Sequence, residues 1–213
     1  DQTLVIPLEQ GVNYEAIKND LALQPGIIGI AGSAGLVGRS VGLSVIEIGD
    51  SKHEIRRINV GFDYLQTIGI RLKQGRFFDK ELITDLDQSV VINETFAKSF
   101  DWENPLEASF ELDSTIFNVI GVVEDFHYFD FDDKIDPAFF LMSKDEDANF
   151  ISARIEKGNI AITEAYAEEL WKKHVPDLPY NGFLQDEVFD YHFDQLKGHA
   201  RIMGFTAALA IVL

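Results

Sequence analysis

Residues 4–31 read LVIPLEQGVNYEAIKNDLALQPGIIGIA, and their reading decides the fold class. Leu4–Leu8 is a short apolar run of strand length. Asn13 is a helix-capping residue type, and Tyr14, Ile17 and Leu21 share one face of a helix expected from Tyr14 to about Gln24. Pro25-Gly26 ends it. Ile27–Ala31 then has the texture of a buried strand. The stretch is a β-α-β unit of about 30 residues.

A similar unit recurs toward the other end. Phe150–Ile155 alternates as a strand. Residues 160–174 predict a helix with Ile162, Tyr166 and Leu170 on its inner face. Glu168/Lys172 and Glu169/Lys173 stand at i, i+4 spacing on its surface. Pro176 follows, and YNGFLQ over residues 180–185 can close the unit as a strand. Two such units make a split βαβ, ferredoxin-like layer of helices on a sheet.

Residues 42–148 differ in texture. Short strands are expected at Leu43–Ile48, Ile55–Val60, Ser89–Ile92, Ser109–Leu112, Ile116–Val123 and Ala138–Leu141. Two short helices interrupt them, near Phe62–Ile68 and Asn93–Phe100. Asn93 caps the second, in which Phe96 and Phe100 pair. The expected class is α+β: a discontinuous unit, 1–41 plus 149–185, with a β-rich insert over 42–148.

The last 12 positions, Ile202–Leu213, read IMGFTAALAIVL and carry no charge. A bilayer-spanning helix needs roughly 20 such residues. The segment before it, Asp186–Ala200, is amphipathic, with Phe189, Phe193 and Leu196 on one face. One helix over residues 186–213 would reach about 42 Å, the shape of a stalk becoming a truncated transmembrane helix. A buried core helix is the competing reading, against which stands the lack of a polar stripe. No leader opens the chain at Asp1-Gln2, so the domain is either cytosolic or exported by a signal lying elsewhere.

Composition narrows the function classes. The formal net charge of −18 repels nucleic-acid phosphates and anionic headgroups, so no nucleic-acid partner is expected. With no cysteine, thiolate zinc sites, disulfides and thiol catalysis are out. Gly32-Ser-Ala-Gly35-Leu-Val-Gly38-Arg39-Ser40 resembles a phosphate loop but fails its spacing. Arg39 stands where Lys belongs and a strand follows, so an exposed flexible loop is expected. Glu124, Asp125 and His127 could approach a metal, yet no second tight ligand pair accompanies them. The acidic stretches from Asp130 and from Asp145 lack the turn glycine of a calcium loop, which would fall at Ile135 and Phe150. No Gly-x-Ser-x-Gly elbow occurs. No catalytic, cofactor-binding or metal residue is therefore assigned, no cofactor is expected, and the chain reads as a non-enzyme.

Four ordered runs carry a resemblance. They are Val60–Phe78 (VGFDYLQTIGIRLKQGRFF), Val90–Ala97 (VVINETFA), Asn104-Pro105, and Ile116–His127 (IFNVIGVVEDFH). Their order and spacing resemble the MacB-like periplasmic core domain of FtsX/MacB-family ABC transporter permeases, although Glu107 and Ala108 replace the usual glycine after Asn104-Pro105. The resemblance implies a porter-type α+β part with an inserted sabre-type part. It implies structural roles for Gly61, Gly69, Gly75 and Asn93. It also implies a domain on the periplasmic side of the inner membrane, anchored by its C-terminal helix. Its partners would be a second permease protomer, a cytoplasmic ABC ATPase and a periplasmic adaptor, in efflux or mechanotransmission. Two rivals remain: the ligand-binding sensor domain of a membrane receptor, and a soluble hydrolase using Glu124–His127.

Overall fold

The computed structural model describes residues 2–186 except 10, 40 and 127–134. The stalk and membrane helix expected over 186–213 lie outside these apart from Asp186, as do His127 and Asp130–Asp133. Among the described residues no helix is long and apolar enough to cross a membrane.

The chain is α+β. Strand β1 (Gln2–Pro7) leads to α1 (Tyr14–Leu21), where Asn13 Oδ1 accepts the Ala16 N–H at 3.0 Å. The helix stops at Leu21, three residues before the expected end. Ala22, Leu23 and Gln24 close it as a turn, their N–H groups bonding back to Lys18, Asp20 and Leu21. β2 (Ile27–Ser33) follows. Near the other end come β10 (Phe150–Ile155), α5 (Ile160–His174) and β11 (Phe183–Leu184). These strands run β11-β1-β10-β2, antiparallel throughout. Tyr14, Ile17 and Leu21 of α1 meet Leu4, Ile6, Ile151 and Ile155 in one core with α5.

The face of α5 differs from expectation. Ile162 is 60 % exposed, while Thr163, Ala167, Leu170 and Trp171 are buried. Small Thr163 and Ala167 let the helix lie close to the sheet, and Trp171 fills the space beyond them. Lys172 pairs with Glu168 at 2.7 Å, but Lys173 reaches Asp20 of α1 at 2.9 Å instead of Glu169. His174 reaches the same carboxylate at 2.8 Å, so the helix end is tied to its neighbour.

The remaining strands are β3 (Gly42–Ile48), β4 (Ser51–Val60), β5 (Leu72–Gly75), β6 (Ser89–Asn93), β7 (Ser109–Leu112), β8 (Thr115–Val123) and β9 (Ala138–Met142), with the short helices α2 (Tyr64–Thr67) before β5 and α3 (Ile83–Asp87) before β6. Six of them close a ring: β4-β3-β7-β8-β6-β9, with β9 returning parallel to β4. One core draws on all six, with Ile46, Ile55, Ile92, Phe110, Phe117 and Phe139, so it is the ring's interior. Phe96 of α4 (Glu94–Ser99) plugs it, 5.1 Å from Phe100 and 5.5 Å from Phe110 and Trp102. A third core joins the ring to the four-stranded part, through Val5, Leu36, Ile58, Tyr64 and Phe140. The sheet itself crosses that joint at one residue pair, Ser33 opposite Val60.

Candidate functional site

Three of the four runs, Val60–Phe78, Val90–Ala97 and the described part of Ile116–His127, meet where β6, β8 and the joint come together. Asn93, fully buried at the end of β6, has three backbone partners. Its Oδ1 accepts the N–H of Phe96 and of Ala138, and its Nδ2 donates to the Asp136 carbonyl, each at 3.0 Å. It thus caps α4 (Glu94–Ser99) and also pins the start of β9. The next residue, Glu94, is paired with Lys73, whose ammonium holds the carboxyl below the usual carboxylate range.

Asp125 caps the same helix from the opposite side. Its carboxylate accepts the Thr95 N–H at 2.8 Å and the Thr95 hydroxyl at 2.9 Å, with Lys98 at 3.4 Å. Glu124 turns away to Arg71 at 2.6 Å. The two described acids of the Glu124–His127 group therefore do not converge: one fastens α4, the other Arg71, the residue just before β5 (Leu72–Gly75). Among the described residues no group of three His, Asp or Glu side chains is arranged to hold a metal. Asp145, the start of the second acidic stretch, lies 3.7 Å from Lys18.

The glycine-rich segment after β2 is not the exposed loop expected. Leu36 is fully buried and Val37 is 5 % exposed. The Val37 N–H donates to the Tyr64 phenol at 3.1 Å, and the Val37 carbonyl accepts from Gln185 Nε2 at 2.7 Å. Burial holds the Tyr64 phenol well above its ordinary range, so it is neutral at physiological pH. Gly61 lies against this segment. A Cβ there would fall 2.2 Å from the Gly32 carbonyl oxygen, so only glycine fits. Gly69 and Gly75 take the positive φ values of turns, +80° and +75°.

A cleft of about 430 Å³ opens beside this joint. Val37, Ile68–Arg71, Glu124–Phe126, Gln185 and Asp186 line it, so it brings a run of the motif, the end of β8 and the chain's exit from β11 together. Its charged side chains are already in ion pairs or hydrogen bonds. It offers no nucleophile beside a base. Motif order pointed to Asn93, Asp125 and Gly61. Tyr64 lay inside a run without a visible role, and Gln185 had no signal, because its partner is a backbone carbonyl 148 residues away.

This arrangement belongs to a class of extracytoplasmic permease domains. The family model of the MacB-like periplasmic core domain matches residues 3–170, and the chain belongs to that family. Among solved structures, the periplasmic region of MacB from Actinobacillus actinomycetemcomitans is similar, with a TM-score of 0.64, 18 % identity, and coverage of 88 % of this chain and 90 % of that one. The extracellular domain of the noncanonical ABC-type transporter YknZ from Gram-positive bacteria has a TM-score of 0.61 at 14 % identity, covering 86 % of this chain and all of that one. None of the curated proteins compared with the chain matches it. The domain is therefore a periplasmic domain of a MacB-like ABC transporter permease. Membership implies the extracytoplasmic side of the inner membrane, an ATPase partner and dimerisation.

Proposed function

We propose that this domain turns cytoplasmic ATP hydrolysis into movement outside the membrane, to export a substrate or act on a partner. The observation that carries the reading is where the described chain enters and leaves. β1 and β11 are antiparallel neighbours, with Leu4 opposite Leu184 and Val5 opposite Phe183. Gln2 Nε2 donates to Asp186 Oδ2 at 3.4 Å. A domain held at both ends by membrane helices needs those ends together, so that shifting helices turn it as a body. Residues 186–213 are then a stalk running into a membrane helix.

In this reading residues 1–41 and 149–185 form the porter-like, split ferredoxin-like unit, and 42–148 the sabre-like insert. The strand order β11-β1-β10-β2 and the closed ring support that division. Gln185, one residue from the exit, grips Val37, and Val37 grips Tyr64. A displaced stalk therefore pulls on the joint between the two parts. A second permease protomer, a separate or fused ATPase and a periplasmic adaptor complete the machine, with no chemistry assigned to this domain.

The test uses the full-length permease with its ATPase. Asp186→Cys places a thiol at the exit in a domain with no cysteine of its own. Crosslinking between protomers with a short bismaleimide should differ between ATP-trapped and ADP states. Equal yields in both states would sink the proposal.

A further inference from the structure

Two stretches of the ring keep a free edge, and they are built differently. β5 pairs only with β8. Its exposed residues are Lys73, Gln74 and Gly75, Arg71 stands just before it, and its register with β8 shifts between Leu72 and Gln74. Cations and an irregular ladder are the usual means of keeping a free edge from pairing with another chain. β3 has neither. Its register with β4 is regular from Gly42 opposite Arg57 to Ile48 opposite Ser51. On its other side it meets β7 at one pair, Glu47 opposite Glu111. In an antiparallel ladder each residue turns both its backbone groups to one side. Alternate residues of 42–46 therefore present N–H and C=O groups that no described strand takes up.

The side chains of that stretch alternate. Ile46 is buried in the ring, whereas Leu43 and Val45 are each 52 % exposed. Residues 41–46 carry no charge, in a chain of net charge −18. The fork where β3 and β7 part is acidic instead. Glu47 and Glu111 stand directly opposite, a like-charge pair that is unfavourable in a sheet. Lys52 is bonded to Glu47 at 2.7 Å. Glu111, and Asp113 in the turn after it, are exposed and have no ion-pair partner among the described residues. Glu54, opposite Val45 on β4, is exposed as well. Two copies of this chain would bring these acids, and their large negative charges, toward one another. A basic partner removes that repulsion.

We propose that the free edge of β3, residues 42–46, takes an extended basic segment of a partner protein as an added strand. Alternate apolar residues of the segment lie beside Leu43 and Val45 on the outer face of the ring. A Lys or Arg at its end reaches Glu111 and Asp113. The backbone ladder supplies the hold, while the apolar pair and the acidic fork select the sequence. The site stands apart from the coupling reading, since its test involves neither ATPase nor motion.

Fluorescence anisotropy on the full-length permease in detergent tests it. The probe is a fluorescein-labelled peptide of valines alternating with threonines and a lysine at each end. It should bind saturably, with a Kd of roughly 10–100 μM. The same peptide with its central valine and the next threonine both replaced by proline lacks an N–H on each edge, and should bind at least about tenfold more weakly. Glutamate in place of both lysines should do the same. Leu43→Thr with Val45→Thr keeps strand-forming residues and removes apolar surface, so it should weaken binding about tenfold. Glu111→Gln with Asp113→Asn should weaken it about threefold. Asparagine tolerates the φ of +50° at Asp113, and all four positions are exposed, so the fold is kept. No saturation by the lysine-ended peptide up to about 1 mM overturns the proposal. So does equal affinity of the proline or the glutamate peptide, or affinity unchanged in both paired variants. A Ser44→Cys permease that oxidises to a disulfide between protomers assigns the edge to a second copy and overturns it as well.

Discussion

Removing the Asn93 side chain tests whether the family's motif is a structural tie. Asn93→Ala deletes three hydrogen bonds of 3.0 Å and leaves two N–H groups and one carbonyl without them, at a position with no exposure. At about 1 kcal/mol for each bond, and more for any group left unpaired in the interior, the cost is about 3–4 kcal/mol. For a chain of this length that lowers Tm by about 10 °C. The control is Asn118→Ala in the same ring. Asn118 is exposed and makes one long contact, 3.4 Å to the Gln88 carbonyl, so its loss should cost below about 0.5 kcal/mol. The two tryptophans make the assay local. Trp102 packs 5.5 Å from Phe96 at the ring, while Trp171 packs 6.3 Å from Tyr180 in the four-stranded part. Urea unfolding followed by Trp102 fluorescence, in a Trp171→Phe background for both variants, reads the ring directly. A cost for Asn93→Ala below about 1 kcal/mol would refute the reasoning, because a surface contact residue behaves that way.

Two further outcomes follow from the joint and the ring's flank. Gly61→Ala puts a Cβ 2.2 Å from a backbone oxygen that no side-chain rotation can move, so it should cost roughly 2–3 kcal/mol; an unchanged Tm in a thermal melt contradicts this. Asp85 is fully buried, and burial alone would raise its carboxyl. Arg76 at 2.5 and 2.8 Å and the Asp79 N–H at 2.8 Å overcome that and hold it below the usual range. Its contribution is thus complete above the unfolded carboxylate pKa of about 4 and is lost as pH falls through the lower folded value. Asp85→Asn should cost about 2 kcal/mol at pH 7 and flatten the stability loss below pH ~4. Parallel acid profiles for variant and parent, from urea midpoints between about pH 3 and 7, would count against the ion pair.

Local features were legible where one residue type does one job. Asn13 and Asn93 announced their caps, and Tyr14, Ile17 and Leu21 marked a buried stripe. The inner face of α5 was misread because a large residue, Ile162, outweighs Thr163 and Ala167 in a pattern. Yet closeness to a sheet favours small residues. β5 reads Leu-Lys-Gln-Gly and carries no strand signal; its pairing with β8 makes it one. Ring closure was invisible because β4 with β9 and β6 with β8 pair in parallel across long stretches of chain, with no hairpin turn to mark them. In the site, motif order identified the residues but not their partners. Asp125 looked like a metal ligand because a capping carboxylate and a coordinating one are the same residue type. Leu36 and Val37 were hidden by the glycines around them.

The closed ring has a consequence for life in a crowded compartment. A strand at the margin of an open sheet displays unpaired N–H and C=O groups to any passing chain. Each ring strand has a neighbour on both sides. The ring therefore shows fewer open edges than a flat sheet would; among the described residues they are left at β5, which pairs only with β8, and along β3, which meets β7 at the single pair Glu47 and Glu111. Away from those two stretches, contacts on the ring are side-chain contacts, which can form and release without rebuilding a backbone ladder.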